Sequence, residues 1–156
     1  TRAAVQFGVN SRLDELQAWV LLGKLRQLDE RIQQRRQVAD WYRQRLEGSV
    51  RLPEDGDHWQ HSYHLYVVEV PADRRDGLLE AGRRQGLPLA IHYTLACHQH
   101  PYVRQTLTPT PPLPHTEALL PRILSLPLNP YLEERHVERV CQALLPLLHE
   151  GRGPGS

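Results

Sequence analysis

The chain has 156 residues and a mass of 18.0 kDa, enough for one domain or for part of a larger one. With 40% hydrophobic and 24% charged residues, its composition is that of a globular protein and not of a disordered one. The net charge of +1 gives no overall attraction for nucleic acid. The longest apolar run, Ala18–Leu22, is five residues long, whereas about 18 are needed to span a bilayer. We therefore expect neither nucleic acid nor a membrane as a partner.

Three residue counts narrow the chemistry further. Cys97 and Cys141 allow at most one disulfide, which indicates a reducing compartment such as the cytoplasm. Because the chain contains no methionine and opens at Thr1, we expect it to be incomplete. Lys24 is the single lysine among 19 basic residues, so chemistry that requires a lysine amine uses Lys24 or a lysine outside this chain.

The first element is predicted to be one long helix over residues 11–47. Ser11 is the predicted cap, and Asp14 follows three residues later, as in a capping box. Apolar residues then recur at helical spacing, at Leu21, Leu25, Leu28, Ile32, Ala39, Tyr42 and Leu46. Such a helix is about 55 Å long at 1.5 Å per residue. That exceeds the diameter of a domain of this size, so we expect part of it to pack against something outside the chain.

The remaining pattern predicts a small layer of helices and strands. In chain order, the predicted elements are a strand over 62–70, a helix over 73–85 stopped by Gly86, a strand over 89–93, a loop over 94–114, an apolar segment over 123–128, and a helix over 133–145 ended or kinked by Pro146. The last helix is predicted to place four apolar residues on one face, namely Val137, Val140, Cys141 and Leu144. The predicted fold class is α+β, a long N-terminal helix followed by a small α/β layer. We expect three parts, the helix at 1–48, the α/β domain at 49–149 and a flexible tail at 150–156.

Histidine is frequent, and nine histidines raise the question of a metal site. His58, His61 and His64 are spaced by three, and Cys97 lies beside His98 and His100. Residues at i, i+3 and i+6 converge neither on a strand nor fully on a helix, and no Cys-x-x-Cys pair supports a zinc site. We predict no metal, with solvated or hydrogen-bonded histidines, and keep a metal-binding module as an alternative.

Two short segments are candidate binding sites. Asn10 and Arg12 lie at the start of the predicted helix, where free N–H groups, an amide and a guanidinium can together bind phosphate or carboxylate. A simple helix cap explains the same residues, and both readings stay open. His92 and Tyr93 close a predicted strand and open the long loop, where functional side chains are common. The alternative is that one of these two side chains packs in the core and the other faces solvent.

The segment Gly8–Ala18 resembles the signature of the DegT/DnrJ/StrS family of pyridoxal-phosphate-dependent sugar aminotransferases. Further segments follow in the family's order, namely Lys24–Arg43, Tyr63–Tyr66, Ile91–Tyr93, His98 with Pro101–Tyr102, and Ser125–Leu128. The similarity extends over residues 8 to about 148. It implies that the chain is the C-terminal small domain of a fold-type I pyridoxal-phosphate-dependent transferase. In such enzymes the first helix would lie where this small domain joins a preceding large domain.

The resemblance also implies roles for individual residues. Asn10 would reach the cofactor phosphate of the partner subunit in a homodimer, with Arg12 close by. His92 and Tyr93 would line the substrate cleft. The family's Schiff-base lysine belongs to a large domain that would precede Thr1, and Lys24 does not match it. We therefore expect no catalytic residue in this chain and no activity from it alone.

The implied reaction is transamination with pyridoxal 5′-phosphate as the cofactor. An amino-acid donor such as glutamate would supply the amino group, and a keto group on a nucleotide-linked sugar would receive it. A non-catalytic domain that binds a nucleotide sugar, or a regulatory relative of the enzymes, is the alternative function.

Overall fold

The computed structural model describes residues 12–106 and 112–149 of the chain. Over this part, the elements in chain order are α1 (Glu15–Leu25), α2 (Leu28–Leu46), β1 (Tyr66–Glu69), α3 (Arg75–Arg84), a 3₁₀ helix (Cys97–Gln99), α4 (Pro101–Thr106), α5 (Pro114–Leu119), β2 (Ile123–Leu126) and α6 (Glu134–His149). They form two compact units. One combines the residues up to Asp29 with Tyr93–Pro121, and the other combines Glu30–His92 with the residues from Arg122 onward.

The prediction of one helix over 11–47 is wrong, because a turn at Arg26 and Gln27 separates α1 from α2. The Gln27 N–H bonds to the Lys24 carbonyl at 3.1 Å, so the chain makes a three-residue turn in place of the four-residue helical one. The break lies next to the boundary between the units, after Asp29. The first helix packs with one set of residues and the second with another, and tertiary packing decides helix continuity more strongly than propensity does.

The start of α1 also differs from the expectation. The helix begins at Glu15 with Asp14 in the N-cap position, and the Asp14 side chain makes no capping bond. Ser11, the predicted cap, lies outside the described residues and is three positions too early for this helix. Arg12 is therefore separated from the first turn by two residues.

The hydrophobic core lies in the unit that contains the sheet. Strands β1 and β2 are antiparallel, with Tyr66 opposite Leu126 and Val68 opposite Leu124, and these four side chains are buried on one face. The helices α2 and α6 contribute most of the other buried residues of this cluster, namely Val38, Ala39, Tyr42, Leu46, Val137, Val140, Cys141, Leu144 and Leu148. The predicted apolar face of the last helix is confirmed.

Of the two strands predicted in the middle segment, one is shorter than expected and the other does not form. The strand predicted over 62–70 is β1, and it cannot include Tyr63, whose φ of +48° is left-handed and not extended. The strand predicted over 89–93 is wrong, because in that segment Ala90 alone pairs with a neighbour, Ser125. Pro88, immediately before it, has no N–H to extend the pairing.

The helix boundaries around α3 and α6 depend on contacts that the sequence does not reveal. α3 begins at Arg75 and not after Asp73 as predicted, while Gly86, at φ +68°, confirms the predicted stop. α6 continues past Pro146 to His149. Arg74 bonds to the carbonyls of Leu147 and Leu148 at 2.8 and 3.1 Å, which satisfies acceptors that the helix end leaves without partners.

The other unit contains α1, the 3₁₀ helix, α4 and α5. The two short helices α4 and α5 and the 3₁₀ helix lie in or at the end of the segment predicted as a loop over 94–114. None of the α1 residues is buried, and Leu21, a member of the predicted apolar stripe, is 51% exposed. Among the helices in residues 12–106 and 112–149, none has both the length and the apolar character needed to cross a bilayer.

The division into a helix over 1–48, a domain over 49–149 and a flexible tail remains a prediction, since the units above are defined by contacts and have other boundaries. Residues 150–156, assigned to the tail, lie outside the described part.

Candidate functional site

Of the two residues predicted to bind the cofactor, the structure describes only Arg12. Asn10 lies outside the described residues. Arg12 is exposed, in the non-helical residues just before α1. Lys24, the single lysine, is exposed in the last turn of α1. A lysine that carries a carbonyl cofactor needs a neighbouring cation or a dry pocket to become nucleophilic near neutral pH. Lys24 borders an apolar groove of about 480 Å³ formed by α1 and its flanks, but its side chain there is exposed to solvent.

His92 is held at the edge of the sheet by a side-chain hydrogen bond. Its Nδ1 lies 2.9 Å from the Ser125 hydroxyl, and the imidazole ring is half-buried. The backbone two residues earlier is fixed as well. Ala90 and Ser125 exchange two backbone hydrogen bonds, of 3.1 and 2.8 Å, so the segment that carries His92 is attached to the middle of β2.

Ser125 is a residue that the sequence analysis placed in a motif without giving it a role. It is 3% exposed, and it is the buried polar residue of a strand whose other members are Ile123, Leu124 and Leu126. A buried hydroxyl is costly unless it is hydrogen-bonded. The signal in the sequence was a single serine within an apolar strand, which suggests a specific partner.

The segment that precedes His92 in the chain is positioned by close packing between α3 and the residues that follow this helix. The Leu87 N–H bonds to the Gly82 carbonyl at 2.8 Å, and Leu89 lies against the α-carbon of Gly82. A β-carbon at Gly82 would come within 2.4 Å of Leu89 Cδ1. The glycine therefore allows the chain after α3 to turn back onto β2, which brings Ala90 and His92 beside Ser125.

Tyr93 is 69% exposed, and the boundary between the two compact units falls between it and His92. The two candidate substrate residues are therefore adjacent in sequence but belong to different units. Arg12 and Tyr93 belong to the same unit.

A stack of aromatic rings lies at the start of β1. His61 and Tyr63 stack with ring centroids 4.6 Å apart, and Tyr66 stacks on Tyr42 at 5.0 Å. Burial raises the pKa of both Tyr42 and Tyr66 far above the ordinary tyrosine value. The two phenols stay neutral at physiological pH, so they support the core and do not act as bases.

The tautomer of His61 follows from its contacts. The Tyr63 N–H donates to His61 Nδ1 at 3.1 Å, so that nitrogen is unprotonated, and the His61 carbonyl accepts a bond of 2.9 Å from Arg36. These bonds hold Tyr63 in its left-handed conformation. This explains why the predicted strand begins late and why His61 has a structural role.

Metal-binding groups do not assemble in the part of the chain that the structure describes. Over those residues, no three His, Cys, Asp or Glu side chains are placed to share an ion. Cys97 and Cys141 are both free thiols, the first exposed and the second buried. A cavity of about 550 Å³ between α3 and α6 contains none of the predicted site residues.

Comparisons with known proteins agree on one family. The family model described as "DegT/DnrJ/EryC1/StrS aminotransferase family" matches residues 1–145. The UDP-N-acetyl-3-dehydro-alpha-D-glucosamine 3-aminotransferase of Acidithiobacillus ferrooxidans is 34% identical over 144 residues, which cover 91% of this chain and 38% of that protein. This chain therefore spans little more than a third of that relative's length.

Two solved structures extend the likeness to the fold. The S. venezuelae DesV structure, described as a complex with a ketimine intermediate, superposes with a TM-score of 0.80 at 32% identity, over 92% of this chain and 39% of that one. The Bacillus subtilis NtdA structure, described with bound cofactor PMP, has a TM-score of 0.75 at 27% identity, over 93% of this chain and 34% of that one. The resemblance read from the motifs and the predicted α+β fold class are both confirmed.

Proposed function

Because the chain belongs to the DegT/DnrJ/EryC1/StrS aminotransferase family, we propose that the protein containing it transfers an amino group to a nucleotide-linked keto sugar. The family match over residues 1–145 is the observation that carries this proposal. The relative from Acidithiobacillus ferrooxidans is named for a UDP-linked 3-dehydro sugar, which supports a keto sugar as the acceptor. An amino acid such as glutamate is the proposed donor.

Pyridoxal 5′-phosphate is the proposed cofactor. When bound, it supplies the electron sink that lets an amino group leave one carbon and join another. The chain's own residues fit only its phosphate, because Asn10 and Arg12 offer an amide and a guanidinium ahead of a helix. No residue of the chain fits the aldehyde of the cofactor, since the single lysine, Lys24, is exposed on α1. We propose that the lysine comes from outside these 156 residues.

The substrate side of the proposed site centres on His92 and Tyr93. The half-buried imidazole of His92 and the exposed phenol of Tyr93 are side-chain types that bind the hydroxyls and phosphates of sugar nucleotides. Their proposed task is to bind and orient the sugar. No proton transfer is assigned to either residue.

The proposed assembly is a homodimer in the cytoplasm. Asn10 would contact the cofactor phosphate held by the partner subunit, so each site would need both subunits. Two free thiols in the described structure are consistent with a reducing compartment. Loss of activity on Asn10→Ala, with recovery when that subunit is mixed with one mutated elsewhere in the site, would support a shared site.

Calorimetric titration of the whole protein with UDP-N-acetyl-3-dehydro-α-D-glucosamine and with a dTDP-linked keto sugar tests the proposed substrate class. Saturable binding is expected for at least one of them, and weaker binding after His92→Gln. The variant His149→Gln is the matched control, because His149 is exposed at the end of α6 and contacts Ser49. Failure of every nucleotide sugar to bind would contradict the proposal and favour a regulatory relative.

A further inference from the structure

A small cavity lies inside the unit that contains the sheet, and neither Arg12, His92 nor Tyr93 lines it. Its volume is about 230 Å³, and its walls come from α2, the segment after α3, the segment after β2, and α6. We call it the α6 cavity, because this helix supplies three of its lining residues, His136, Arg139 and Val140. A space of this size has room for about eight water molecules at about 30 Å³ each. It therefore suits a compact ligand and is too small for a nucleotide sugar.

The interior of the α6 cavity is apolar. It is lined by Tyr42, Leu87 and Val140, which are buried, and by Pro127 and Leu132, which are half-buried. The Tyr42 hydroxyl is the one polar atom among these five side chains, and it already donates a hydrogen bond of 2.8 Å to the Pro127 carbonyl. Water is held poorly in such a space, because it needs two to four polar partners. The interior therefore favours an apolar group.

Two basic side chains of α6 line the same cavity. His136 and Arg139 are three residues apart, so they lie on one face of the helix, and both are exposed. Because Tyr42 and Val140 are buried, the two basic groups lie on the solvent side of the cavity. Arg139 donates a hydrogen bond of 3.0 Å to the Gln85 carbonyl, which uses one of the five N–H groups of the guanidinium. That bond restrains the side chain and leaves the guanidinium able to bind a carboxylate.

The start of α6 orients the ring of His136 and adds positive charge. The Glu133 N–H donates to His136 Nδ1 at 3.2 Å, so the ring proton of the neutral histidine lies on Nε2. The N–H groups at a helix start carry a positive partial charge. Glu133 and Glu134 pair with Arg135 and Arg45 at 2.9 and 2.6 Å, and among the described residues no acidic side chain lines the cavity. An anion at its opening therefore meets positive charge.

We propose that the α6 cavity binds a small monocarboxylate with an apolar body, such as an arylacetic or branched-chain acid. The apolar body occupies the space beside Tyr42, Leu87 and Val140, and the carboxylate binds Arg139, with His136 Nε2 as a second donor. A dicarboxylate or an amino acid fits poorly, since its second charged group would lie without a partner in the apolar interior. The inference does not rest on the proposed function, because this ligand is neither the proposed amino donor nor the proposed acceptor.

Calorimetric titration of the whole protein with phenylacetate, benzoate and 4-methylpentanoate tests this inference. Saturable binding with one site per chain is expected for at least one of the three acids. Phenylacetamide has the same ring as phenylacetate without the charge, and it is expected to bind about tenfold or more weakly, because it loses the charge-assisted hydrogen bond. Acetate lacks the apolar body and is expected to bind weakly as well.

Substitutions assign the binding to this cavity. Arg139→Ala is expected to weaken binding by about tenfold or more, and Arg139→Lys to restore part of the affinity, since an ammonium keeps the charge but lacks the planar fork. Arg83→Ala is the matched control, because Arg83 is an exposed arginine of α3 that pairs with Glu80 at 3.7 Å and does not line the cavity. Leu132→Trp enlarges a half-buried wall residue and is expected to abolish binding, with thermal unfolding as the check that the variant is folded.

Hydrogen exchange followed by mass spectrometry locates the bound acid without any need for turnover. A ligand in the cavity contacts elements that are far apart in the chain, and it stabilises the state that binds it. Slower exchange on addition of the acid is expected in peptides that contain Leu87 and in those that span Leu132 to Val140. Exchange in α1, which does not line the cavity, is expected to stay unchanged.

Three results would overturn the inference. The first is the absence of saturable binding for all three acids to the folded, unmodified protein. The second is binding that Arg139→Ala and Leu132→Trp both leave unchanged, because the acid then binds elsewhere. The third is equal affinity for phenylacetate and phenylacetamide, which decides the role of the carboxylate even if Arg139→Ala does not fold. Failure of nucleotide sugars to bind would contradict the proposed function alone and would leave this inference standing.

Discussion

Gly82 and Leu89 pack so closely that a β-carbon on the glycine would lie 2.4 Å from Leu89 Cδ1 and 2.8 Å from Cγ. This contact joins α3 to the segment that carries His92. We predict that Gly82→Ala destabilises the protein by about 1–3 kcal/mol, the usual cost of an added carbon in a packed site. Urea unfolding followed by circular dichroism measures the loss.

Gly77 in the same helix is the matched control, because a β-carbon there would meet nothing within 4 Å. Gly77→Ala is expected to be neutral or to stabilise by about 0.5–1 kcal/mol, through the higher helix propensity of alanine. Equal unfolding midpoints for the two variants would contradict the close packing of Gly82 against Leu89.

The buried phenol of Tyr42 links α2 to the segment after β2, donating a hydrogen bond of 2.8 Å to the Pro127 carbonyl. Tyr42→Phe keeps the ring stacked on Tyr66 but removes the donor, and we expect a loss of about 1 kcal/mol in the free energy of unfolding. Tyr131→Phe is the control, since Tyr131 is 71% exposed. Unchanged stability in Tyr42→Phe would show that the carbonyl finds another donor.

Periodicity identified the parts of the fold that a hydrophobic core dictates. The spacing of Val137, Val140, Cys141 and Leu144 predicted the buried face of α6, and all four are buried. The glycine at position 86 predicted the end of α3 correctly. These features depend on local sequence, because a helix face and a left-handed stop are set by a few neighbouring residues.

Features that depend on distant contacts were not predictable. The break at Arg26–Gln27 has no proline or glycine to mark it, and it coincides with a change of packing partner near Asp29. Tyr63 leaves the extended conformation because His61 accepts its N–H. The Ser125–His92 bond joins residues 33 positions apart, so neither the motif nor its spacing revealed the pairing.

The two cysteines are predicted to react at very different rates. Burial raises the pKa of the Cys141 thiol to about 11, whereas Cys97 is exposed. At pH 8 only about one Cys141 in a thousand is the reactive thiolate, even before its burial limits access. Iodoacetamide followed by mass spectrometry is expected to label Cys97 first and Cys141 only after unfolding. Similar labelling rates in the native protein would contradict the buried position of Cys141.

The carboxylate of Glu117 accepts a hydrogen bond from His98 Nε2 at 2.9 Å, and this contact, with the Leu113 N–H, holds the Glu117 pKa below its ordinary value of 4.5. The contact favours the ionised form. Its contribution to stability is therefore present above pH 4.5 and is lost as the pH falls through the lowered value.

Carbon-13 NMR of the Glu117 carboxyl group measures this effect. In His98→Gln we expect the Glu117 pKa to rise toward 4.5, because the largest cause of its lowering is removed. His115→Gln changes a histidine in the same helix, α5, and is expected to leave the titration of Glu117 unchanged. The same Glu117 titration in His98→Gln as in the unmodified protein would show that the pair does not form in solution.

Transfer of a labelled amino group tests the central claim most directly. The whole protein is incubated with pyridoxal 5′-phosphate, ¹⁵N-glutamate and a nucleotide-linked keto sugar, and the sugar nucleotide is analysed by mass spectrometry. We predict that ¹⁵N appears on the sugar and that Lys24→Ala transfers it equally well. Absence of label from every nucleotide sugar tested while the cofactor is bound, or loss of transfer in Lys24→Ala, would contradict the account.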